Sequence, residues 1–429
     1  VANIKQLGTF DVENYGDLLY PVVFRRALRE RDASLSLSAY SPLAREAPHA
    51  AGFETRDART LFGTARAGRA DDVDDAGDAG GAGELSGGAT RLVVGGGDIL
   101  RTDRETLAAH YLRDRGAGLR REVGLAGAVR YLALRPLAAW RAERFRAREF
   151  ARRRLSYASP GPFIIDPESL PGGGAVCYLS CGVPHDFVPG ERAEVARAFE
   201  RARFVYLRDE LSAERLRRCG VRRELHVAPD LVVLLGGQLG REAEAAKGRS
   251  LLGGFGVDAA APVLCFQSMP YPGFDAAEIA RLLTRYRRRS SAEVVLLPLG
   301  RCHGDAEFLR RVSEASGGGF KFADVERLAD AVSIIAACDL FAGTSLHGNV
   351  TAFSFGIPHL HGPLPAGKAE GFLRTTGLPA ALKLDAWGEL DEKIEAAAGL
   401  GADFFAARAD AARVKVSRAV DALLDALLA

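Results

Sequence analysis

The segment Asp339–His361, DLFAGTSLHGNVTAFSFGIPHLH, constrains the fold more than any other stretch of the chain. Its apolar start, Asp339-Leu340-Phe341-Ala342, has the length of a buried parallel strand. Gly343-Thr344-Ser345 is a turn cluster whose hydroxyls cap a following helix. His347 falls in the first turn of that helix, and a strand restarts at Ile357 after Gly356. Strand, polar turn, helix and strand in so few residues predict an open α/β sheet. In such sheets ligands bind beyond the carboxyl ends of the strands, and helix N-termini there attract anions. Thr344, Ser345 and His347 therefore stand where an anionic ligand would bind. The plainer reading is a capped helix with one packing histidine.

The same pattern recurs upstream. Residues 2–10 end a first strand, and Asn14-Tyr15-Gly16-Asp17 leads into a helix Leu18–Arg31 with Asp17 as its cap. Gly16, between two oxygen-bearing side chains, lets backbone and substrate approach closely. A strand Arg91–Val94 runs into Gly95-Gly96-Gly97-Asp98, whose glycines leave N–H groups exposed while Asp98 caps the next helix. This is not the spaced glycine fingerprint of dinucleotide folds. Strands Ala175–Cys181 and Phe204–Leu207 flank a helix Glu191–Arg203. Arg208 then sits at a strand end, with Asp209 capping a helix and the guanidinium aimed at the same rim. His226–Leu235 reads as a further strand-like run containing Asp230.

Residues 236–261 lack clear periodicity and are expected to be an interdomain linker. A second unit follows: strand Val263–Gln267, helix Asp275–Arg289, strand Glu293–Leu297, helix Ala306–Ser316 and a helix near Glu326–Ala337. The tail Ala402–Leu428 carries an apolar stripe of Val416, Val420, Leu423, Leu424 and Leu427, suited to packing back on the N-terminal domain. The expected organisation is α/β: a Rossmann-like domain over 1–235, the linker, a second such domain over 262–400 and a terminal helix over 401–429.

Composition matters at three points. A formal net charge of +2 gives no electrostatic case for nucleic acid. Six scattered cysteines in apolar runs suit buried thiols, and without a second pair near Cys177 and Cys181 no metal site is expected. No secretory leader and no run of roughly 20 apolar residues is seen, which points to a cytoplasmic protein. Two stretches differ from the rest. The Gly/Asp-rich 63–90 reads as a surface loop. Residues 113–154 hold thirteen arginines against four acidic residues. This basic helical insert suits either a peripheral contact with an anionic inner membrane face or a solvated hairpin. Oligomeric state is left open.

Taken in order, Asn14-x-Gly16-Asp17, Gly95-Gly96-Gly97, Arg208-Asp209-x-x-Ser212, Asp230, and Leu346-His347 followed by Ala352-Phe353-Ser354-Phe355-Gly356-Ile357-Pro358 resemble the polysaccharide pyruvyl transferase family. The resemblance spans about residues 8–361. It implies two Rossmann-like domains facing a cleft, as in B-type glycosyltransferases, with the acceptor on the N-terminal side and the donor on the C-terminal side. It also implies phosphoenolpyruvate as anionic donor, a sugar or lipid-linked glycan as acceptor, a pyruvate ketal as product, and no cofactor or metal. On that reading His347 is the catalytic acid, and Asp17 binds or deprotonates the acceptor. Arg208, Thr344, Ser345 and Arg301 hold the donor, and Asn14, Gly16, Gly96, Gly97 and Asp98 the acceptor. Members of the family that use phosphoenolpyruvate have Arg-Leu-His where this chain has Ser345-Leu346-His347. A serine makes no bidentate ion pair, so Arg301, His303 or Lys368 is expected to supply the cation. Two other readings use the same residues: a B-type glycosyltransferase with a nucleotide-sugar donor, and a non-catalytic member with a degenerate site.

Overall fold

The computed structural model describes residues 2–43, 52–63, 90–108, 111, 136–365 and 367–429, with the side chains of 136–143 excepted. The loop expected over 63–90 falls outside these residues except at its two ends, as does the 113–135 part of the basic insert.

The chain begins with β1 (Asn3–Leu7), α1 (Tyr15–Arg31), β2 (Ser36–Ser41), β3 (Thr55–Asp57), β4 (Thr90–Gly95) and helix α2 (Pro136–Arg154). A short hairpin, β5 (Pro160–Gly161) and β6 (Ile164–Ile165), leads to β7 (Gly174–Cys181), α3 (Arg192–Arg201), β8 (Phe204–Leu207), α4 (Glu210–Cys219) and β9 (His226–Val227). Helices α5 (Leu235–Leu239) and α6 (Arg241–Gly254) connect to β10 (Val263–Gln267), α7 (Ala276–Ser290), β11 (Glu293–Leu296), α8 (Asp305–Ala315) and β12 (Lys321–Phe322). Then come α9 (Leu328–Ala337), β13 (Leu340–Gly343), α10 (Leu346–Ser354), β14 (His359–His361), α11 (Lys368–Thr376), α12 (Leu390–Leu400) and α13 (Ala402–Leu428).

The strands form two parallel sheets, ordered β3-β2-β1-β4-β7-β8-β9 and β12-β11-β10-β13-β14. Each domain starts in the middle of its sheet, builds outward to one side, and then crosses to the other. The order thus reverses between β1 and β4 in one sheet and between β10 and β13 in the other. Chain connections diverge at such a switch point and leave a crevice beyond the strand ends. The central strands are apolar along their length because helices cover both faces. In β10, Val263, Leu264, Cys265, Phe266 and Gln267 are all buried.

Several local expectations are corrected. Helix α1 begins at Tyr15 with Asn14 as its cap, so Asp17 lies inside the first turn. Asp98 caps no helix; the next helical residues, 104–108, follow Asp103, whose carboxylate accepts from Thr106 N at 3.1 Å. The strand-like run at 226–235 is cut after Val227. Asp230 Oδ1 accepts from Val232 N at 3.0 Å and starts a 3-10 turn over Leu231–Leu234, because an aspartate bonding its own backbone two residues on competes with strand pairing. The irregular linker expected at 236–261 is mostly helical, with α6 packed along α9. Helix α13 lies against β7, β8 and α10 and so contacts both domains. Its Phe405, Val416, Val420, Leu423, Leu424 and Leu427 are buried, each contributing roughly 1.5–3 kcal/mol of apolar transfer.

The α6–α9 contact depends on the absence of a side chain at Gly248, where a Cβ would lie 1.9 Å from Ser333 O and 2.6 Å from Ala337 Cβ. Backbone cannot yield to such an overlap as a flexible side chain can. Gly248→Ala is expected to destabilise the fold by about 1–3 kcal/mol, despite the better helix propensity of alanine, as measured by urea unfolding.

Candidate active site at the interdomain cleft

The two switch points face each other across a cavity of about 960 Å³. Thr9 beyond β1 and Gly97 beyond β4 line one wall, and Gln267 at the end of β10 and Thr344 beyond β13 line the other.

On the C-terminal wall the polar residues of the turn hold it in shape. Ser345 caps α10, its Oγ accepting from Gly348 N at 3.1 Å. Thr344 Oγ1 accepts from Met269 N at 3.1 Å and lies 3.2 Å from Gln267 Oε1, which also takes Ser345 N at 2.7 Å. Gln267 Nε2 donates at 3.2 Å to Asp305 Oδ2, which accepts Leu299 N at 2.7 Å and Gly300 N at 2.5 Å. Thr344 and Ser345 therefore line the cleft with their oxygens engaged in ordering the loop. The first-turn N–H groups of α10 have no carbonyl a turn earlier to bond, and Leu346 and His347 stand at the cavity wall.

The N-terminal wall is built on Arg208, which is only 4% exposed. It bonds Asp98, with Asp230 Oδ2 at 3.6 Å and Asp209 Oδ2 at 3.8 Å. Burial opposes its charge, but these carboxylates, Asp98 foremost, outweigh burial and hold it protonated. Arg208 lines the cavity as expected of a donor-binding residue, with these carboxylates around it and its Nη1 without a hydrogen-bond partner among the described residues. Two groups of the C-terminal domain then close on the same carboxylates. Lys368 Nζ lies 2.8 Å from Asp98 Oδ2, and His347 Nε2 lies 3.6 Å from Asp230 Oδ2. The result is a chain of polar contacts, Lys368–Asp98–Arg208–Asp230–His347, that crosses the cleft twice.

Tyr20 fixes the state of the histidine. Burial and the Asp230 carboxylate push its hydroxyl well above the ordinary range, so it stays protonated. It donates to Asp230 Oδ2 at 2.6 Å, and its oxygen is 3.3 Å from His347 Nε2. With the tyrosine proton committed to Asp230, the His347 contact requires the proton on Nε2. The exchangeable nitrogen is then Nδ1. It packs on Gly16, where a Cβ would lie only 1.9 Å away. Gly16 thus lets α1 pass directly beneath the imidazole.

The three cleft carboxyls differ in proton affinity. Burial raises all of them. At Asp98, Arg208 and Lys368 outweigh burial and hold the pKa well below the ordinary range; at Asp230, His347, Arg208 and Tyr20 do the same. At Asp17 burial prevails over His347, Thr9, Lys368 and Asn14, and its pKa is raised. Carboxyls pushed apart in this way suit opposite proton-handling roles. Asn14 Nδ2 donates to Asp17 Oδ2 at 3.0 Å. Gly97, at φ +73, leaves space for Asp17, since a Cβ there would lie 2.7 Å from Oδ1. Gly96, at φ +113, lies against the Tyr20 ring behind the cavity wall.

The structure brings together Asn14, Gly16, Asp17, Gly97, Asp98, Arg208 and His347, with Thr344 and Ser345 opposite. It does not bring in Arg301, which bonds Asp324 and donates to Val325 O at 3.3 Å. His303 and Lys368 line the cavity. Tyr20 and Gln267 went unread in the sequence. Tyr20 follows Asp17 by three residues and so shares its helical face; Gln267 is an amide at the carboxyl end of an apolar strand. Both are usable signals.

The family model of polysaccharide pyruvyl transferases matches residues 14–361. A solved UDP-GlcNAc 2-epimerase from Neisseria meningitidis, bound to UDP-GlcNAc, aligns with a TM-score of 0.53 at 11% identity, covering 99% of this chain and 99% of that one. HepE from Anabaena, in complex with UDP-glucose, aligns at 0.49 and 14% identity, over 99% of this chain and 98% of that one. A glycosyltransferase from Rickettsia africae aligns at 0.48 and 10%, over 99% and 96%. No curated protein matches the chain. The epimerase likeness bears on the fold alone: two Rossmann-like domains facing a cleft, the B-type glycosyltransferase architecture.

Asp17 gives a test of the electrostatics. A carboxyl whose pKa is raised by folding costs stability above its folded pKa and nothing below its unfolded value of about 3.9. Asp17→Asn is expected to raise Tm at pH 7, with the gain shrinking as the pH is lowered toward 4. Asp98 and Asp230 have the opposite sign: they stabilise above the ordinary carboxylate range and lose that contribution as the pH falls through their folded values. Asp230→Asn is therefore expected to lower Tm at pH 7. Thermal unfolding of both variants across pH checks the assignment.

Proposed function

The chain belongs to the polysaccharide pyruvyl transferase family, and from that premise we propose that it transfers the pyruvyl group of phosphoenolpyruvate to two hydroxyls of a sugar or glycoconjugate. The products are a pyruvate ketal and phosphate. The observation that carries this reading is the His347–Tyr20–Asp230 contact across the cleft, with Asp17 on the adjacent turn.

Ketal formation starts with protonation of the enol carbon C3, which leaves positive charge at C2. His347 as imidazolium gives that proton from Nδ1, while Tyr20 and Asp230 hold Nε2–H and stabilise the cation. One acceptor hydroxyl adds to C2 and its proton passes to Asp17, whose raised pKa makes it a stronger base than an ordinary carboxylate. The C2–O bond to phosphate then breaks with its electron pair on the leaving group. The second hydroxyl adds to C2 and its proton leaves with phosphate or solvent. Atoms and charge balance with no further reactant.

The donor is triply anionic when fully ionised and needs cations. Arg208 is buried among carboxylates, so it orders Asp98 and Asp230 instead of clamping the donor. Lys368 is assigned the donor's anion: its side chain is 64% exposed, lines the cavity and shares Asp98 with Arg208. The N-terminus of α10 is the second anion-binding group. Donor binding then shifts Lys368 from Asp98 to substrate.

A second reading is favoured by one observation. Ser345 replaces the arginine that the family resemblance implies, and a helix N-terminus beside a lysine would hold a nucleotide-sugar pyrophosphate equally well.

Thermal unfolding with phosphoenolpyruvate, UDP-sugars and GDP-sugars separates the two, since a ligand at 100 times its Kd stabilises by about 2.7 kcal/mol. Stabilisation by phosphoenolpyruvate alone is expected; stabilisation by nucleotide sugars alone would overturn the proposal. In a phosphate-release assay with an accepting glycan, His347→Ala is expected to lower kcat by about 10²–10⁴. Gly16→Ala, whose Cβ takes the place of Nδ1, is expected to do nearly as much. Lys368→Ala is expected to raise KM for the donor by roughly 10–100-fold, the loss of a charged hydrogen bond.

A further inference from the structure

Among the described residues, large apolar side chains are exposed at Phe145 (70%), Val188 (57%), Tyr271 (37%) and Val414 (52%). The first three belong to segments with residues that line the cleft. Arg144 and Ala147 of α2 line the cavity on either side of Phe145. Val188 ends the loop that begins with the cavity-lining Val183 and Pro184, and Tyr271 lines the cavity itself.

Helix α2 is two-faced. Ala147 and Ala151 are buried and Phe150 stacks on Tyr111 at 5.5 Å, so this side docks on the N-terminal domain. The other side presents Phe145 with Arg146, Arg148, Arg152 and Arg153, all exposed. Glu105 takes Arg144 and Arg148, and Glu149 takes Arg152 and Arg153. Among the described residues Asp57 also takes Arg154, and in sequence 144–154 holds six arginines and the single acid Glu149. Phe145, 70% exposed, stands here among arginines. This is the pattern of an interfacial element, in which an aromatic ring enters the acyl boundary and cations meet phosphate headgroups.

We propose that the mouth of the cleft, with α2 as its edge, docks on an anionic lipid surface, so that a glycan carried on a lipid enters the cavity from the bilayer. The lipid-borne acceptor rests on the pyruvyl transfer reading. The docking does not, because it stands on charge complementarity and on apolar side chains outside the reacting groups.

The test is sedimentation of the full chain with phosphatidylcholine vesicles containing or lacking phosphatidylglycerol, without donor or acceptor. Binding to the anionic vesicles, weakened by added salt, is expected, with little binding to the neutral ones. Each basic side chain at such a surface contributes roughly fivefold in affinity, so Phe145→Ser combined with Arg146→Glu is expected to weaken binding by about tenfold or more. Both residues are exposed and outside the catalytic machinery, so turnover of a water-soluble acceptor analogue is expected to be unchanged. Failure to bind anionic vesicles, equal binding to neutral ones, or undiminished binding by the double variant would each overturn the docking. Loss of the pyruvyl transfer reading would appear separately, in the donor-binding assay.

Discussion

Arg208 is the point on which the site depends. Its guanidinium is buried at the end of β8, where removing a charge from water costs several kcal/mol unless oppositely charged groups answer it. Asp98 and Asp230 do so from two different strand ends, and the same two carboxylates receive Lys368 and His347 from the other domain. Removing the guanidinium would leave two buried carboxylates with only Lys368 and His347 of the other domain to answer them. One apolar cluster runs through both sheets and the terminal helix, and this polar chain adds charged contacts between the walls of the cleft.

Such a chain is a weak source of net stability, since the Coulomb energy gained in the interior largely offsets the desolvation lost. What it supplies is geometry. Carboxylates fixed on one domain accept the imidazole and the ammonium of the other, and Nδ1 of His347 lies over Gly16. The small residues serve the same end. Gly16 removes the side chain that would collide with the imidazole, and Gly97 removes one that would collide with Asp17. In the proposed reaction, an anionic donor competes with Asp98 for Lys368, so donor entry and the loosening of one cross-cleft contact are a single event.

Much of the fold was legible because parallel strands buried on both faces leave long apolar runs, as at Val263–Gln267 and Phe204–Leu207. The switch points were legible as glycine or hydroxyl clusters at strand ends. What failed was local competition. The helix starts one turn before Asp17, with Asn14 at the cap position and its amide donating to the Asp17 carboxylate, and the Asp230 side chain ended a run that hydropathy alone carries through to Leu235. Residues 236–261 are helical because α9 offers a surface to pack on, and tertiary contact overrides a glycine-rich composition. Within the site, the positions of Arg208 and His347 followed from the order of elements, but their partners did not. Asp98 lies 110 residues from Arg208 and Tyr20 lies 327 from His347, separations at which pattern carries no information. Arg301 failed for the opposite reason: a nearby carboxylate, Asp324, captured it.

Ser345 shows how one position trades two functions. As the N-cap of α10 it satisfies Gly348 N, an interaction typically contributing about 1 kcal/mol to helix stability. An arginine there caps nothing but presents a cation beside the imidazole. With serine the helix end is capped and the C-terminal wall lacks the positive charge an arginine would bring there, while Lys368 of α11 lines the cavity paired with Asp98. A cation on a flexible stem tolerates a wider range of anion positions than a planar guanidinium fork. In the proposed reaction the exchange relaxes the geometry demanded of the donor while His347 keeps its contacts with Tyr20 and Asp230. In the proposed reaction, selectivity rests less on a bidentate clamp than on the space the cleft leaves beside Asp17 and the imidazole.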